Sequence, residues 1–96
     1  MTLREQVLAQ REAVLLVAAR RGARNVRLFG SAARGDAEAD SDLDFLVDLD
    51  ADRSLLDVAA IAVELERLFG RRVDVVTARG LRERLRERVL REAVPL

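Results

Sequence analysis

The spacing of apolar residues alternates along the chain between the helical period of about 3.6 residues and short continuous runs typical of strands. Capping-box sequences begin two helices after Thr2 and Ser54, and glycines close them at Gly22 and Gly70. A brief helical turn is expected at Ala32–Arg34. The apolar runs predict three strands, Val26–Phe29, Asp42–Val47 and Val73–Thr77.

A further helix is predicted near the end of the chain, over Leu81–Ala93, and Pro95 is expected to end it. Its apolar residues at four-residue spacing are expected to be buried, while Arg and Glu cover the rest. These apolar residues are Leu81, Leu85 and Val89. The arginines of Arg82–Arg91 are interpreted as a solvated face, with docking to an acidic partner as the second interpretation.

The alternation of helices and strands predicts a small α/β (α+β) fold in which helices cover one or both faces of a short sheet. Strand order does not follow from the pattern. The link between the first two strands is barely long enough for a parallel crossover, which usually takes about a dozen or more residues. We therefore expect a mixed sheet, formed by a single domain over residues 1–96.

Composition removes several classes of chemistry. The chain has no Cys and no His, which excludes disulfides, thiol nucleophiles, histidine acid-base catalysis and nearly every zinc site. It has no apolar run long enough to span a membrane and no signal-peptide pattern at its start, so we expect no membrane association and a cytoplasmic location.

The formal net charge is zero, but the charges are unevenly distributed. Acids concentrate in residues 36–66, whereas arginines dominate on both sides. An acidic segment repels a nucleotide unless cations or arginines offset it. We do not infer nucleic-acid binding from the arginine content. Four acids are interpreted as solvated loop residues: Asp36, Glu38, Asp50 and Asp52.

The most specific pattern is Gly30-Ser31 followed by Asp42 and Asp44 in an apolar run. On a strand, these two aspartates project from one face with Cα atoms about 6.6 Å apart, so their carboxylates can share divalent metals. The turn at Gly30-Ser31 offers N–H groups and a hydroxyl to polyphosphate oxygens. The alternative is that the aspartates only form the solvent face of an edge strand.

Asp74 interrupts a predicted strand whose other residues are mostly apolar, as in a buried strand. Burying an unpaired carboxylate costs several kcal/mol, so we expect a partner, and a metal shared with Asp42 and Asp44 would supply it. The alternative is a salt bridge to Arg71 or Arg72.

Two rival motifs fail at specific positions. A P-loop needs a lysine on the phosphates, and this chain contains none. An EF-hand loop starting at Asp40 would place Phe45 where glycine is required and Ala51 where glutamate is required.

The segments Leu28–Gly35, Ser41–Val47 and Val73–Val76 together resemble the DNA polymerase beta-like nucleotidyltransferases, specifically the minimal nucleotidyltransferases of prokaryotes. The resemblance covers nearly the whole chain. It implies that the chain is the antitoxin of a pair whose toxin is a HEPN-domain ribonuclease. The antitoxin would silence this toxin by transferring AMP from ATP to a toxin tyrosine.

The resemblance also implies roles for single residues. Asp42 and Asp44 would hold two Mg²⁺ ions, and Asp74 would ligate one of them or take the proton of the acceptor hydroxyl. Gly30 and Ser31 would hold the β- and γ-phosphates. One further residue, Arg34, is either a phosphate-binding charge or a surface arginine. Two alternatives remain, a non-catalytic antitoxin that acts by binding alone and a small-molecule nucleotidyltransferase subunit.

Overall fold

A computed structural model describes residues 1–96 and contains one four-stranded sheet. Its strands are β1 (Ala23–Phe29), β2 (Leu43–Leu49), β3 (Val73–Thr77) and β4 (Val94–Pro95). The strand order is β3-β2-β1-β4. Strand β2 runs parallel to β3 and antiparallel to β1, and β4 is antiparallel to β1. The prediction of a mixed sheet is confirmed.

Five helices and one 3₁₀ turn (Ala78–Gly80) accompany the sheet. The helices are α1 (Leu3–Ala9), α2 (Arg11–Arg20), α3 (Gly30–Arg34), α4 (Leu55–Phe69) and α5 (Glu83–Glu92). Both predicted capping boxes form, and the left-handed Gly70 ends α4. None of these helices combines the length and the hydrophobicity that a membrane span requires.

The prediction of one uninterrupted N-terminal helix is wrong. The helix breaks at Gln10, which has φ −104° and ψ 18° and serves as the C-cap of α1 and the N-cap of α2. The break lets the two parts take different partners. Helix α1 contacts α3, where Arg4 Nη1 donates to Ala33 O at 3.3 Å, while α2 packs on β1 and α4.

The core lies on the sheet face to which Leu43, Phe45 and Val47 point. Helices α2 and α4 cover this face, and the ring of Phe45 stacks on that of Phe69 at 6.3 Å. On the opposite face, Leu46 is also fully buried. The second face is therefore covered near its middle as well.

The C-terminal segment differs from the prediction in two respects. No residue of α5 is buried, and Leu85 is 47% exposed, so the expected burial of its apolar stripe is wrong. The chain also continues beyond the helix into β4, whose short pairing with β1 places Pro95 opposite Arg27. This strand was not predicted because two residues are too few to show an alternating pattern of apolar and polar positions.

Candidate functional site

Three strands bring the predicted site residues to one end of the sheet. Phe29, the last residue of β1, is the register partner of Asp44 in β2, and Asp44 is the register partner of Asp74 in β3. Directly opposed residues project from the same face of a sheet. The side chains of Asp44 and Asp74 therefore lie side by side, with Gly30 beginning α3 immediately after Phe29.

Gly30 is the point of closest approach between the turn and the acidic strand. Its φ is 74°, in the left-handed region that favours glycine, and a Cβ added there would collide with Asp44 Oδ2. Any other residue would displace either the turn or the carboxylate. The missing side chain leaves the main chain of Gly30 directly against the Asp44 carboxylate.

Ser31 is half-buried at the start of the same turn. Its main-chain carbonyl accepts hydrogen bonds from Gly35 N at 3.0 Å and Asp36 N at 3.1 Å. The carbonyl thus closes the turn, and no side chain caps α3. The Ser31 hydroxyl is not required for this structure and remains suited to a ligand oxygen.

The acidic residues differ in environment. Asp44 is half-buried, and burial, followed by the charges of Asp74 and Asp42, raises its pKa to about 6, while Arg34 acts in the opposite direction. Asp74 is exposed, so the expectation that it would be a buried carboxylate is wrong. Val73 and Val75 take the core side of β3, and alternation turns Asp74 outwards.

The alternative salt bridge for Asp74 is absent. Arg71 Nη1 instead donates to Ser41 O at 2.8 Å and Ala39 O at 3.1 Å, which fastens the loop before β2 to the start of β3. Arg72 Nε lies 4.0 Å from Asp42 Oδ1, with both side chains well exposed. Exposed pairs of this kind contribute little to stability.

The donor set fits a hard divalent cation, although the side chains do not form a closed metal cluster. No three acidic groups converge closely enough to coordinate one ion as they stand. Carboxylates of like charge repel one another, and the pKa of Asp44 is raised chiefly by burial and further by the charges of Asp74 and Asp42. An all-oxygen set without His or Cys suits Mg²⁺ or a similar ion.

Arg34 lies on the surface next to this end of the sheet. Its Nε donates to Asp36 Oδ2 and its Nη1 to Glu92 Oε2, each at 3.2 Å. These bonds raise the pKa of Arg34, with Asp36 contributing most. Sequence reasoning missed Glu92 because it lies far away along the chain and reaches Arg34 only through the packing of α5 near α3.

A groove of about 580 Å³ lies elsewhere, at the carboxyl ends of β2 and β3. It is lined by residues such as Arg53 and Leu55 and contains none of the predicted site residues. Asp48 lies at this end, where its carboxylate accepts hydrogen bonds from Arg27 and Asn25. The open acidic surface and this groove are thus separate features.

Residues 12–96 match the family described as nucleotidyltransferase domain. The protein adenylyltransferase MntA of Thermococcus cleftensis is 44% identical over 73 residues, covering 76% of this chain and 74% of that protein. A Methanocaldococcus jannaschii protein, provisionally named a protein adenylyltransferase, is 36% identical over 81 residues, covering 84% of this chain and 87% of its own length.

Solved structures share the fold. One provisionally described as a minimal nucleotidyltransferase is similar with a TM-score of 0.88 and 58% identity, covering 100% of this chain and 97% of that chain. A toxin-antitoxin structure with AMP-PNP gives a TM-score of 0.76 at 20% identity, covering 88% of this chain and 69% of that chain. At that identity the second similarity establishes the fold alone.

Proposed function

Because the chain belongs to the nucleotidyltransferase domain family, we propose that it is the antitoxin of a HEPN-type ribonuclease toxin and transfers AMP from ATP to a toxin tyrosine. The chain is a nucleotidyltransferase, and two relatives carry the name protein adenylyltransferase. The observation that carries the proposal is the in-register pair Asp44 and Asp74 beside the bare main chain of Gly30. This arrangement places acidic oxygens next to a turn suited to phosphates.

Each residue has a proposed part in the reaction. Gly30 and Ser31 hold the β- and γ-phosphates, and Arg34 adds a positive charge beside them. Asp42 and Asp44 would hold two Mg²⁺ ions, which when bound would neutralise the phosphate charge and the charge that develops during the transfer. Asp74 accepts the proton of the acceptor hydroxyl; if Asp74 would instead hold the second ion, the proton passes to solvent. The hydroxyl oxygen then bonds to the α-phosphorus and pyrophosphate leaves.

The raised pKa of Asp44 is consistent with a ligand role. A carboxyl whose pKa is about 6 carries an unfavourable charge at neutral pH until a cation compensates it. The exposed positions of Asp42 and Asp74 leave the acidic surface open on the solvent side. We infer that the acceptor protein covers this open side and that the chain binds it as a complex partner.

Mass spectrometry tests the proposal by detecting AMP adducts. The sample is the complex of this chain with the HEPN-type protein encoded by a neighbouring gene, after addition of ATP and Mg²⁺. The wild-type chain should add AMP to a toxin tyrosine, and Asp42→Asn, Asp44→Asn and Asp74→Asn should not. The chain has no tyrosine of its own, so a tyrosine-linked AMP lies on another protein. Asp40→Asn is the matched control, because Asp40 is an exposed acid two residues before Asp42.

The outcomes separate the alternatives. An Asp42→Asn variant that silences the toxin as fully as wild type, with no AMP on either protein, would establish an antitoxin that acts by binding alone. Transfer of AMP to an added small molecule with a hydroxyl group, while the toxin stays unmodified, would indicate a small-molecule nucleotidyltransferase. Either result contradicts the proposed protein acceptor.

A further inference from the structure

Helix α5 is the most weakly packed of the longer helices. None of its residues is buried, and Leu85 and Leu90 are 47% and 44% exposed. Side chains anchor it at two points. Near its start, Arg86 Nε donates to Ala78 O at 3.0 Å, and at its last residue Glu92 accepts from Arg34. Few apolar contacts mean that small changes in these polar anchors alter how firmly α5 is held.

The Arg34 anchor is shared with the candidate phosphate site. The guanidinium donates from Nε to Asp36 and from Nη1 to Glu92, while its charge also acts on Asp44. A guanidinium has five N–H donors in a fixed planar fork, and carboxylates and phosphates engage that fork in the same way. A triphosphate bound at Gly30 and Ser31 would therefore find some of the N–H donors of Arg34 already bonded to Asp36 and Glu92.

We propose that Glu92 competes with the triphosphate for Arg34, so that nucleotide binding releases the C-terminal end of α5 from α3. The proposal rests on the proposed function, since it requires a triphosphate at Gly30 and Ser31. Glu92 also accepts a bond from Arg88 Nε at 3.4 Å, so it keeps a partner on its own helix after release. Because coupling is reciprocal, whatever holds α5 in place weakens nucleotide binding by the same factor.

The expected coupling is modest. Arg34 and Glu92 have side chains that are 41% and 26% exposed, and solvent screens a pair of this kind. Removing the Glu92 charge should therefore tighten binding of Mg·ATP about two- to fivefold. The same change should raise amide exchange in α5 before any nucleotide is added.

Isothermal titration of Mg·ATP into wild type, Glu92→Gln, Arg34→Ala and the double variant tests the competition. Glu92→Gln should bind more tightly in the wild-type background and should have no effect when Arg34 is already alanine. Glu87→Gln is the matched control, because it removes an equal charge from an exposed position of the same helix. Its affinity should equal that of wild type.

Hydrogen exchange supplies the second measurement. Mg·ATP should accelerate exchange at the C-terminal end of α5 in wild type and leave Arg34→Ala unchanged. Weaker or unchanged binding by Glu92→Gln, or an equal gain in the Arg34→Ala background, would overturn the competition while nucleotide binding itself stands. A wild-type chain that binds no Mg·ATP would remove the proposed function and this inference together.

Discussion

Asp44 and Asp74 are register partners on adjacent parallel strands, and neither carboxylate has an ion-pair partner in the protein. Like charges in this arrangement oppose each other, and burial, followed by this repulsion, raises the pKa of Asp44. A sheet selected only for stability gains nothing from this pair. A cation bound there would offset this local cost.

Nucleotide binding should depend on a divalent cation. The acidic end of the sheet repels a triphosphate until Mg²⁺ neutralises it. Titration of ATP in Mg²⁺ should give a dissociation constant at least about tenfold lower than titration in EDTA. Equal affinity in the two buffers would contradict the metal-dependent site.

Gly30→Ala should destabilise the domain more than Gly35→Ala does. Both glycines have positive φ, 74° and 84°, so each alanine variant carries a strain of about 1 kcal/mol. Only the Cβ at Gly30 also collides with Asp44, whereas the space beside Gly35 is open. Chemical denaturation of the two variants isolates the collision, and equal losses of stability would argue against the close approach seen here.

Ser31→Ala should weaken Mg·ATP binding while leaving the fold intact. The main-chain carbonyl of Ser31 closes the turn, so the variant loses one ligand hydrogen bond, worth about 1 to 3 kcal/mol with a charged phosphate. Calorimetry measures the affinity and a thermal melt measures the fold. A large drop in melting temperature would show instead that the hydroxyl supports the structure.

Asp44→Asn should stabilise the apo domain at neutral pH. The pKa of Asp44 is raised from 3.8 to about 6 in the folded chain, so the native state binds the proton more readily than the unfolded state. This contribution makes wild type progressively less stable as pH rises from about 4 to 6. After allowance for solvent screening, the difference at pH 7 is about 1 kcal/mol.

Unfolding of wild type and Asp44→Asn in EDTA at pH 4 and pH 7 measures that effect. The stability advantage of the variant should be small at pH 4 and larger at pH 7. Adding Mg²⁺ at pH 7 should stabilise wild type more than the variant, because the cation binds the charged carboxylate. An advantage that does not change with pH would exclude titration of Asp44 as its cause.

Local pattern was sufficient for most of the elements. The capping residues Thr2 and Ser54, the closing Gly70 and the run Val73–Thr77 all behave as predicted, because caps and periods act over a few residues. The break at Gln10 was invisible, since the apolar spacing continues across it and only the different partners of α1 and α2 require it.

Residue pattern alone predicts the mixed α/β class, the pairing of a glycine-serine turn with acidic strand residues, and the family resemblance. Four features follow only from packing between distant segments: the strand order, the exposure of Asp74, the added strand β4 and the bond between Arg34 and Glu92. The two groups differ in the range of the interactions that fix them. Periodicity states which residues share a face, but only packing states which face is covered and which distant charges meet.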